Sequence, residues 1–220
     1  IISQFDGFWY AGKMAKEFLE VYGKKDCHYV FVPNLVEENA YKSAQNISKE
    51  EILDIRKEYD ISKDNIVLLC PARLSKVKGI PQFLEIFRNS KNKKRCTILI
   101  PGIGELKDEI INIAKEYKID VRLLGFKNQD ELIRLYAASD IFLLPSLSDP
   151  NPLTCIEAAW AAKPMIVSKH VGNHPEIILQ GKNGCVIDYE QEENSLSKID
   201  ELINFEREKL KEAGMISYNI

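Results

Sequence analysis

Two carboxylates, Asp149 and Glu157, stand eight positions apart around a predicted helix start in the segment Asp140–Ser168. We predict that Asn151 caps this helix and that Pro152 takes its first position, where the missing proline N–H costs nothing. The free N–H groups of a first helical turn, together with the helix dipole, attract anions. Carboxylates beside a bound phosphate would repel it, so we expect these two to bind hydroxyl groups, such as those of a sugar or a ribose.

A second candidate cluster follows the apolar run Ile66–Cys70, where Arg73 and Lys78 precede Gly79 and a predicted helix. In a parallel sheet this loop leaves the same edge as Asp149. Arginine supplies a planar fork of donors and lysine a compact point charge, and this pair suits a diphosphate. Taken alone, the two residues have an open alternative, which is a pair of solvated surface cations.

The elements that must position these residues alternate between short apolar runs and stretches of helical period. The predicted strands are Ile66–Cys70, Thr97–Ile100, Val121–Leu124, Ile141–Leu144, Met165–Val167 and Cys185–Ile187. The predicted helices are Lys49–Glu58, Pro81–Asn89, Glu105–Tyr117, Gln129–Ala138 and Pro152–Ala162. Ser48 with Glu51 indicates a capping box, and Asn128 with Glu131 is a weaker version. This alternation predicts an α/β fold, a Rossmann-like doubly wound parallel sheet of about six strands with flanking helices.

Composition sets broad limits on function. The chain has 220 residues, is 45% hydrophobic and 29% charged, and carries a formal net charge of −3. These values are typical of a globular protein and argue against a general nucleic-acid binder, which would show a basic stripe. No apolar run approaches the ~18 residues of a transmembrane segment, so we predict none. Five cysteines without a CxxC pair favour a reducing, cytoplasmic compartment, with a metal or disulfide role as the alternative.

Other possible cofactor sites are weak. Gly102 and Gly104 lack the third glycine and the later acid of a dinucleotide fingerprint, so NAD binding is disfavoured. The three histidines, His28, His170 and His174, show no metal-ligand spacing. His174 is still a candidate for the border of the ligand cleft.

Taken in order, these motifs resemble the carboxy-terminal donor-binding half of group 1 (family 4) glycosyltransferases, which have the GT-B fold of two Rossmann-like domains. The resemblance covers Tyr29–Asp188. Five motifs carry the resemblance. In chain order they are RLSKVKG at Arg73–Gly79, the GxG at Gly102 and Gly104, LLGFKNQDELIRLYAASDIFLLPS, the segment from Asp149 to Glu157, and AAKPMIVSKHVGNHPEIILQGKNGCVI.

The resemblance implies a catalytic set of three residues. Arg73 and Lys78 match the basic pair that contacts the donor diphosphate and stabilises its departing charge. Asp149 takes the place of the acid that contacts the donor sugar, although the family has a glutamate there and the aspartate is one methylene shorter. The sugar contact is therefore the least secure of these roles.

The resemblance also implies the residues that bind the donor nucleotide. Glu157 matches the second acid of the E-x7-E motif, which is expected to bind the ribose hydroxyls. The backbone at Leu153 and Thr154 corresponds to the stretch that contacts phosphate. Phe126 and Lys127 lie where the family lines the nucleobase pocket, and Gly102 belongs to the donor-binding GxG. Two departures are Pro152, where many members have glycine, and Asn173-His174 after Gly172, where a second glycine is frequent.

The expected domains follow from the ends of the chain. Residues Phe8–Tyr22 are predicted to form one amphipathic helix before a lone strand at His28–Val32. We expect residues 1–30 to be the remnant of a preceding amino-terminal domain and a linker, 31–190 to form the nucleotide-sugar binding domain, and 191–220 to be a helical region.

The resemblance implies a retaining glycosyltransferase that uses a UDP-, GDP- or ADP-sugar, in bacterial cell-surface polysaccharide or glycolipid synthesis. The acceptor, a saccharide or lipid-linked saccharide, would be brought by the absent amino-terminal domain, so this piece is expected to bind the donor without turnover. No cofactor is expected, and because no Asp-x-Asp occurs we predict no metal.

The alternatives are an epimerase-like enzyme acting on nucleotide sugars with the same architecture, and a non-enzymatic nucleotide-binding module. We expect a cytoplasmic location; peripheral attachment of the full-length protein to the inner membrane face stays open.

Overall fold

The computed structural model describes residues 1–220. Its strands are β1 (Gly7–Tyr10), β2 (His28–Phe31), β3 (Ile66–Leu69), β4 (Cys96–Pro101), β5 (Asp120–Gly125), β6 (Ile141–Leu144), β7 (Met165–Ser168) and β8 (Gly184–Ile187). Its α-helices are α1 (Lys13–Tyr22), α2 (Glu38–Lys42), α3 (Lys49–Glu58), α4 (Ile80–Phe87), α5 (Lys107–Tyr117), α6 (Gln129–Ala138), α7 (Leu153–Trp160), α8 (His174–Ile177), α9 (Glu192–Ile203) and α10 (Arg207–Tyr218).

The main sheet has six parallel strands in the order β5-β4-β3-β6-β7-β8, and β1 with β2 forms a separate parallel pair. From β3 the chain builds outward in one direction through β4 and β5, and then returns to place β6 on the other side of β3. The strand order therefore reverses between β3 and β6. Ligands of doubly wound sheets bind in the crevice at such a reversal. The predicted fold class and all six of its strands are confirmed.

Helices cover both faces of this sheet, because neighbouring residues of each strand point to opposite sides. On β3, Ile66 and Leu68 belong to one buried cluster, whereas Val67 and Leu69 belong to the other. The central strands β3 and β6, which are buried on both faces, are apolar throughout.

Capping contacts at the first turns of α3 and α6 account for the agreement between their predicted and observed bounds. Helix α6 begins with a complete capping box, in which Asn128 and Glu131 each bond to the other's backbone N–H, at 3.0 and 2.9 Å. At α3, the Ser48 hydroxyl accepts from the N–H of Glu51 at 3.1 Å. Both helices have the predicted bounds. Helices α4, α5 and α7 differ from their predictions by one to two residues at an end.

The prediction of one helix over Phe8–Tyr22 is wrong. Gly7–Tyr10 is a strand, and helix α1 begins only at Lys13, after Gly12 in an extended conformation. Strand β1 pairs in parallel with β2, so β2 is not a lone strand. The three consecutive aromatic residues Phe8, Trp9 and Tyr10 favour a strand, and the partner strand lies about twenty residues further along the chain.

The last two helices pack on the sheet. Ile199 and Leu202 of α9 and Leu210 of α10 are buried in the same cluster as Leu68 and Ile98 of the central strands. The region 191–220 is helical as predicted, and its helices share the core of the sheet domain. No helix of the structure combines the length and the apolar character needed to cross a membrane.

Candidate functional site

The loops after β3 and β6 meet at the carboxyl edge of the sheet, where the strand order reverses. The ammonium of Lys78 lies 2.6 Å from Oδ2 of Asp149, and the two side chains are 23% and 13% exposed. Backbone bonds fix the loops to each other, since the N–H of Leu147 donates to the carbonyl of Val77 at 2.7 Å. The structure therefore brings together two of the three predicted catalytic residues.

Gly79 makes this close approach possible. Its φ is +63°, and a Cβ at this position would lie 2.2 Å from the carbonyl oxygen of Pro145. Only glycine meets both conditions without strain. The hydroxyl of Tyr189, which reaches the cleft from beyond β8, donates to the same Pro145 carbonyl. Nothing in the sequence indicates this contact.

Arg73, the third predicted catalytic residue, lies exposed in the loop after β3. The backbone on either side of it is tightly held. Cβ atoms on Gly102 and Gly104 would lie 1.9 and 2.3 Å from the carbonyl oxygens of Ala72 and Leu74. The GxG after β4 thus packs its backbone directly on the arginine loop, which is a structural reason for both glycines.

The start of helix α7 differs from its prediction. Pro152 is the N-cap and Leu153 the first helical residue, so Asn151 is not the cap. The amide of Asn151 instead donates to the carbonyl of Ala11 at 3.1 Å. No side chain caps this helix. The N–H groups at Leu153 and Thr154 are consequently free to receive an anion, as the resemblance implies.

The loop after β7 supports the acid loop. The N–H of Asp149 donates to the carbonyl of His170 at 3.1 Å, and the N–H of Gly172 donates to the carbonyl of Asp149 at 2.8 Å. A Cβ on Gly172 would lie 1.9 Å from the carbonyl oxygen of Pro150. Asn173 and His174 depart from the family pattern, and both side chains contact nearby backbone. Asn173 donates to the Pro152 carbonyl at 3.2 Å, and His174 Nδ1 lies 2.8 Å from the Val171 carbonyl.

Glu157 lies in the second turn of α7. Its Oε2 accepts from the hydroxyl of Tyr136 at 3.2 Å. Burial raises the pKa of Glu157, and the neighbouring hydroxyls of Tyr41 and Tyr136 oppose this shift. In its ionised form Glu157 accepts hydrogen bonds from hydroxyl groups such as these.

Cys155 of α7 is a fully buried thiol near the candidate site in the sequence. Burial raises the pKa of its thiol well above the ordinary range, and the negative charges of Asp149 and Glu157 raise it further, whereas Lys78 opposes them. The thiol therefore stays protonated. We assign it a packing role, as for the other buried thiols, Cys70, Cys96 and Cys185.

Phe126 and Lys127, the two residues predicted to line the nucleobase pocket, differ in their exposure and partners. Phe126 follows β5 at the same edge of the sheet and is 76% exposed, so its ring is available to a ligand. The N–H of Gly102 donates to the carbonyl of Gly125 at 2.7 Å and holds this loop beside the GxG. The ammonium of Lys127, by contrast, is 2.9 Å from Oε1 of Glu131, which raises the pKa of the lysine.

Comparison with known proteins gives one family. The family model described as "Glycosyl transferases group 1" matches residues 51–217. A protein named as an uncharacterised glycosyltransferase of Methanocaldococcus jannaschii is 30% identical over 150 residues, which are 66% of this chain and 38% of that protein. The alpha-monoglucosyldiacylglycerol synthase of Acholeplasma laidlawii is 28% identical over 174 residues, 77% of this chain and 43% of that protein. The chain thus spans about two fifths of the length of these relatives.

Solved structures share the fold. The Anabaena protein HepE, in complex with UDP-glucose, superposes with a TM-score of 0.74 at 20% identity, and the match covers 95% of this chain and 57% of that one.

Proposed function

Because this chain belongs to the group 1 glycosyltransferase family, we propose that it forms the donor-binding half of an enzyme that moves a sugar from a nucleoside diphosphate to an acceptor. The reaction retains the configuration at the anomeric carbon. We propose a role in bacterial cell-surface polysaccharide or glycolipid synthesis, and the name of the Acholeplasma laidlawii relative supports a glycolipid product for that protein.

One observation carries the proposal. Lys78 and Asp149 meet at 2.6 Å where the strand order reverses, beside the uncapped start of α7. A diphosphate needs a cation and free N–H groups, and a sugar needs an acceptor for its hydroxyls. This edge of the sheet offers all three.

The cations act on the leaving group. As the bond to the sugar breaks, negative charge builds on the diphosphate, and fixed positive charges stabilise this state more than the ground state. The Lys78 ammonium has three N–H donors, so one bond to Asp149 leaves two for the diphosphate. The exposed guanidinium of Arg73 supplies a further charge with a planar fork of donors.

The remaining side chains orient the donor. The Glu157 carboxylate accepts from the ribose hydroxyls, and charge-assisted bonds of this kind are worth about 1.5–3 kcal/mol. Asp149 accepts from a hydroxyl of the sugar while it holds Lys78 in place. The Phe126 ring lies against the base. Since the chain has no Asp-x-Asp, we assign no metal to the reaction.

Titration with UDP, GDP and ADP tests the proposal, because each presents a ribose and a diphosphate. We expect one of the three to bind, and the matching sugar nucleotide to bind at the same site in competition. Absence of binding by all three, measured by calorimetry on folded protein, would overturn the proposal. The structure of HepE with UDP-glucose makes UDP the first nucleotide to test.

A further inference from the structure

Tyr136 connects two helices at the back of the cleft. It belongs to α6 and is fully buried, and its hydroxyl lies 3.2 Å from Oε2 of Glu157 and 3.3 Å from the carbonyl of Thr154. Both acceptors belong to α7, the helix whose first turn faces the proposed phosphate site. The buried ring is fixed on one side by Phe142 of β6, at a centroid distance of 6.4 Å.

Tyr41 completes the group from a third element. It lies on the short helix α2, before the sheet domain, and is 5% exposed. Its ring meets that of Tyr136 edge to face, with centroids 5.7 Å apart. Burial raises the pKa of both phenols, and the negative charge of Glu157 raises them further. Both hydroxyls therefore keep their protons over the ordinary pH range and can act as donors.

Glu157 has no cation among its partners. The titratable side chains that face it are Tyr41 from α2 and Tyr136 from α6. Burial favours its neutral form, and the two phenols act against burial. A carboxylate without a counter-charge stays ionised in such a place only if donors stabilise it.

We propose that Tyr136, together with Tyr41, is a positioning residue that keeps Glu157 ionised and aimed at the ribose of the donor. The proposal rests on the proposed function, which gives Glu157 the ribose contact. In a neutral carboxylic acid one oxygen carries a proton and acts as a donor. A carboxylate, by contrast, can accept from both ribose hydroxyls. The two phenols thus tune a binding residue without touching the ligand.

The test uses Tyr136→Phe and the double variant Tyr41→Phe with Tyr136→Phe, which keep the rings and remove only the hydroxyls. The probe is the tightest binder among UDP-, GDP- and ADP-glucose, because a sugar diphosphate has no second phosphate proton that titrates near neutral pH. Affinity is measured from pH 5 to pH 8 by calorimetry.

The sign of the expected effect follows from the carboxylate. Binding needs Glu157 ionised, so affinity falls as pH falls through its raised pKa. Without the phenol donors this pKa rises further, and the fall should begin at a higher pH in Tyr136→Phe and at a still higher pH in the double variant. At pH 6 we expect at least a threefold larger loss of affinity relative to wild type than at pH 8.

Tyr117→Phe is the matched control. The Tyr117 hydroxyl also donates to a glutamate, Oε1 of Glu85 at 2.7 Å, but between helices α4 and α5. This variant should bind with the wild-type pH profile.

Two results would overturn the proposal while the proposed function stands. One is a pH profile of affinity that is the same in Tyr136→Phe, in the double variant and in wild type. The other is a Glu157→Gln variant that keeps the wild-type pH dependence, because another group would then be the one that titrates. Failure of UDP, GDP and ADP to bind wild type would instead refute the proposed function.

Discussion

The ammonium of Lys78 lies 2.6 Å from the carboxylate of Asp149, although the two residues are 71 positions apart. Their loops follow β3 and β6, the neighbouring strands between which the order of the sheet reverses. The family resemblance gave these residues separate partners, a diphosphate and a sugar. The structure shows that each also holds the other, so we expect the two proposed contacts to be coupled.

Replacing Lys78 should weaken nucleotide binding. We expect Lys78→Ala to lower the affinity for the best nucleoside diphosphate at least about tenfold, a loss of ~1.4 kcal/mol, because the diphosphate loses a fixed cation. Calorimetric titration measures this directly. Lys76→Ala removes an exposed lysine from the same turn and serves as the control. Wild-type affinity in Lys78→Ala would refute the diphosphate role.

Glu157 should discriminate between ribose and deoxyribose. We expect wild type to bind 2′-deoxy-nucleotide about tenfold or more weakly than ribonucleotide, since a charge-assisted bond of about 1.5–3 kcal/mol is lost. In Glu157→Gln this difference should shrink, because the amide lacks the charge. Titrating the ribonucleotide and the 2′-deoxy-nucleotide into wild type and into Glu157→Gln gives the coupling energy between the Glu157 side chain and the ribose 2′-hydroxyl. A coupling energy near zero would remove Glu157 from the ribose site.

Much of the fold could be predicted because the signals were local. The strand Ile141–Leu144 is an unbroken apolar run, and helix α6 begins at the capping pair Asn128 and Glu131. Asn151 was assigned as a cap for equally local reasons, but its amide binds the carbonyl of Ala11, 140 residues away. A local rule failed there because a distant acceptor competes for the side chain.

The contacts that tune the site could not be predicted. Tyr136 was placed correctly in a helix, but nothing in its neighbourhood indicates that its hydroxyl reaches Glu157. Arg56 of α3 is buried and donates to Asp140 at 2.8 Å, 84 positions away. Such contacts depend on how helices pack across the sheet, which hydrophobic patterns do not specify at the level of single polar atoms.

Gly102 should be intolerant of a side chain. Its Cβ would lie 1.9 Å from the carbonyl oxygen of Ala72, and its N–H is bonded to the Gly125 carbonyl at 2.7 Å, so neither backbone can yield freely. We expect Gly102→Ala to cost about 1–3 kcal/mol of stability, as overpacking does, and to weaken nucleotide binding by displacing Arg73. Thermal unfolding and titration measure the two effects.

Gly181→Ala is the control that separates the steric clash at Gly102 from the cost of a left-handed backbone conformation. Gly181 has φ of +75° and open space around it, so an alanine there meets only the left-handed penalty of about 1–2 kcal/mol. It should lose stability but bind nucleotide normally. If Gly102→Ala also binds normally, the GxG does not position the arginine loop.

The partly buried Lys163 should make stability depend on pH. Its ammonium donates to the Ser139 carbonyl at 2.9 Å, and burial lowers its pKa to about 8, with the charge of Arg56 adding to this shift and Asp140 opposing it. In the unfolded chain a lysine has a pKa of about 10.4. Between these two values the unfolded state binds more protons than the folded state, so stability rises with pH over this window.

Lys163→Met removes this contribution while it keeps an unbranched side chain. We expect the free energy of unfolding of wild type, relative to Lys163→Met, to increase as pH rises from about 8 toward 10. Tyrosines titrate over part of this range, but they do so in both proteins and cancel in the difference. Urea unfolding at pH 7, 8, 9 and 10 measures it, and Lys91→Met, at an exposed lysine, should show a constant difference. A constant difference in Lys163→Met as well would mean that Lys163 keeps an ordinary pKa in the folded protein.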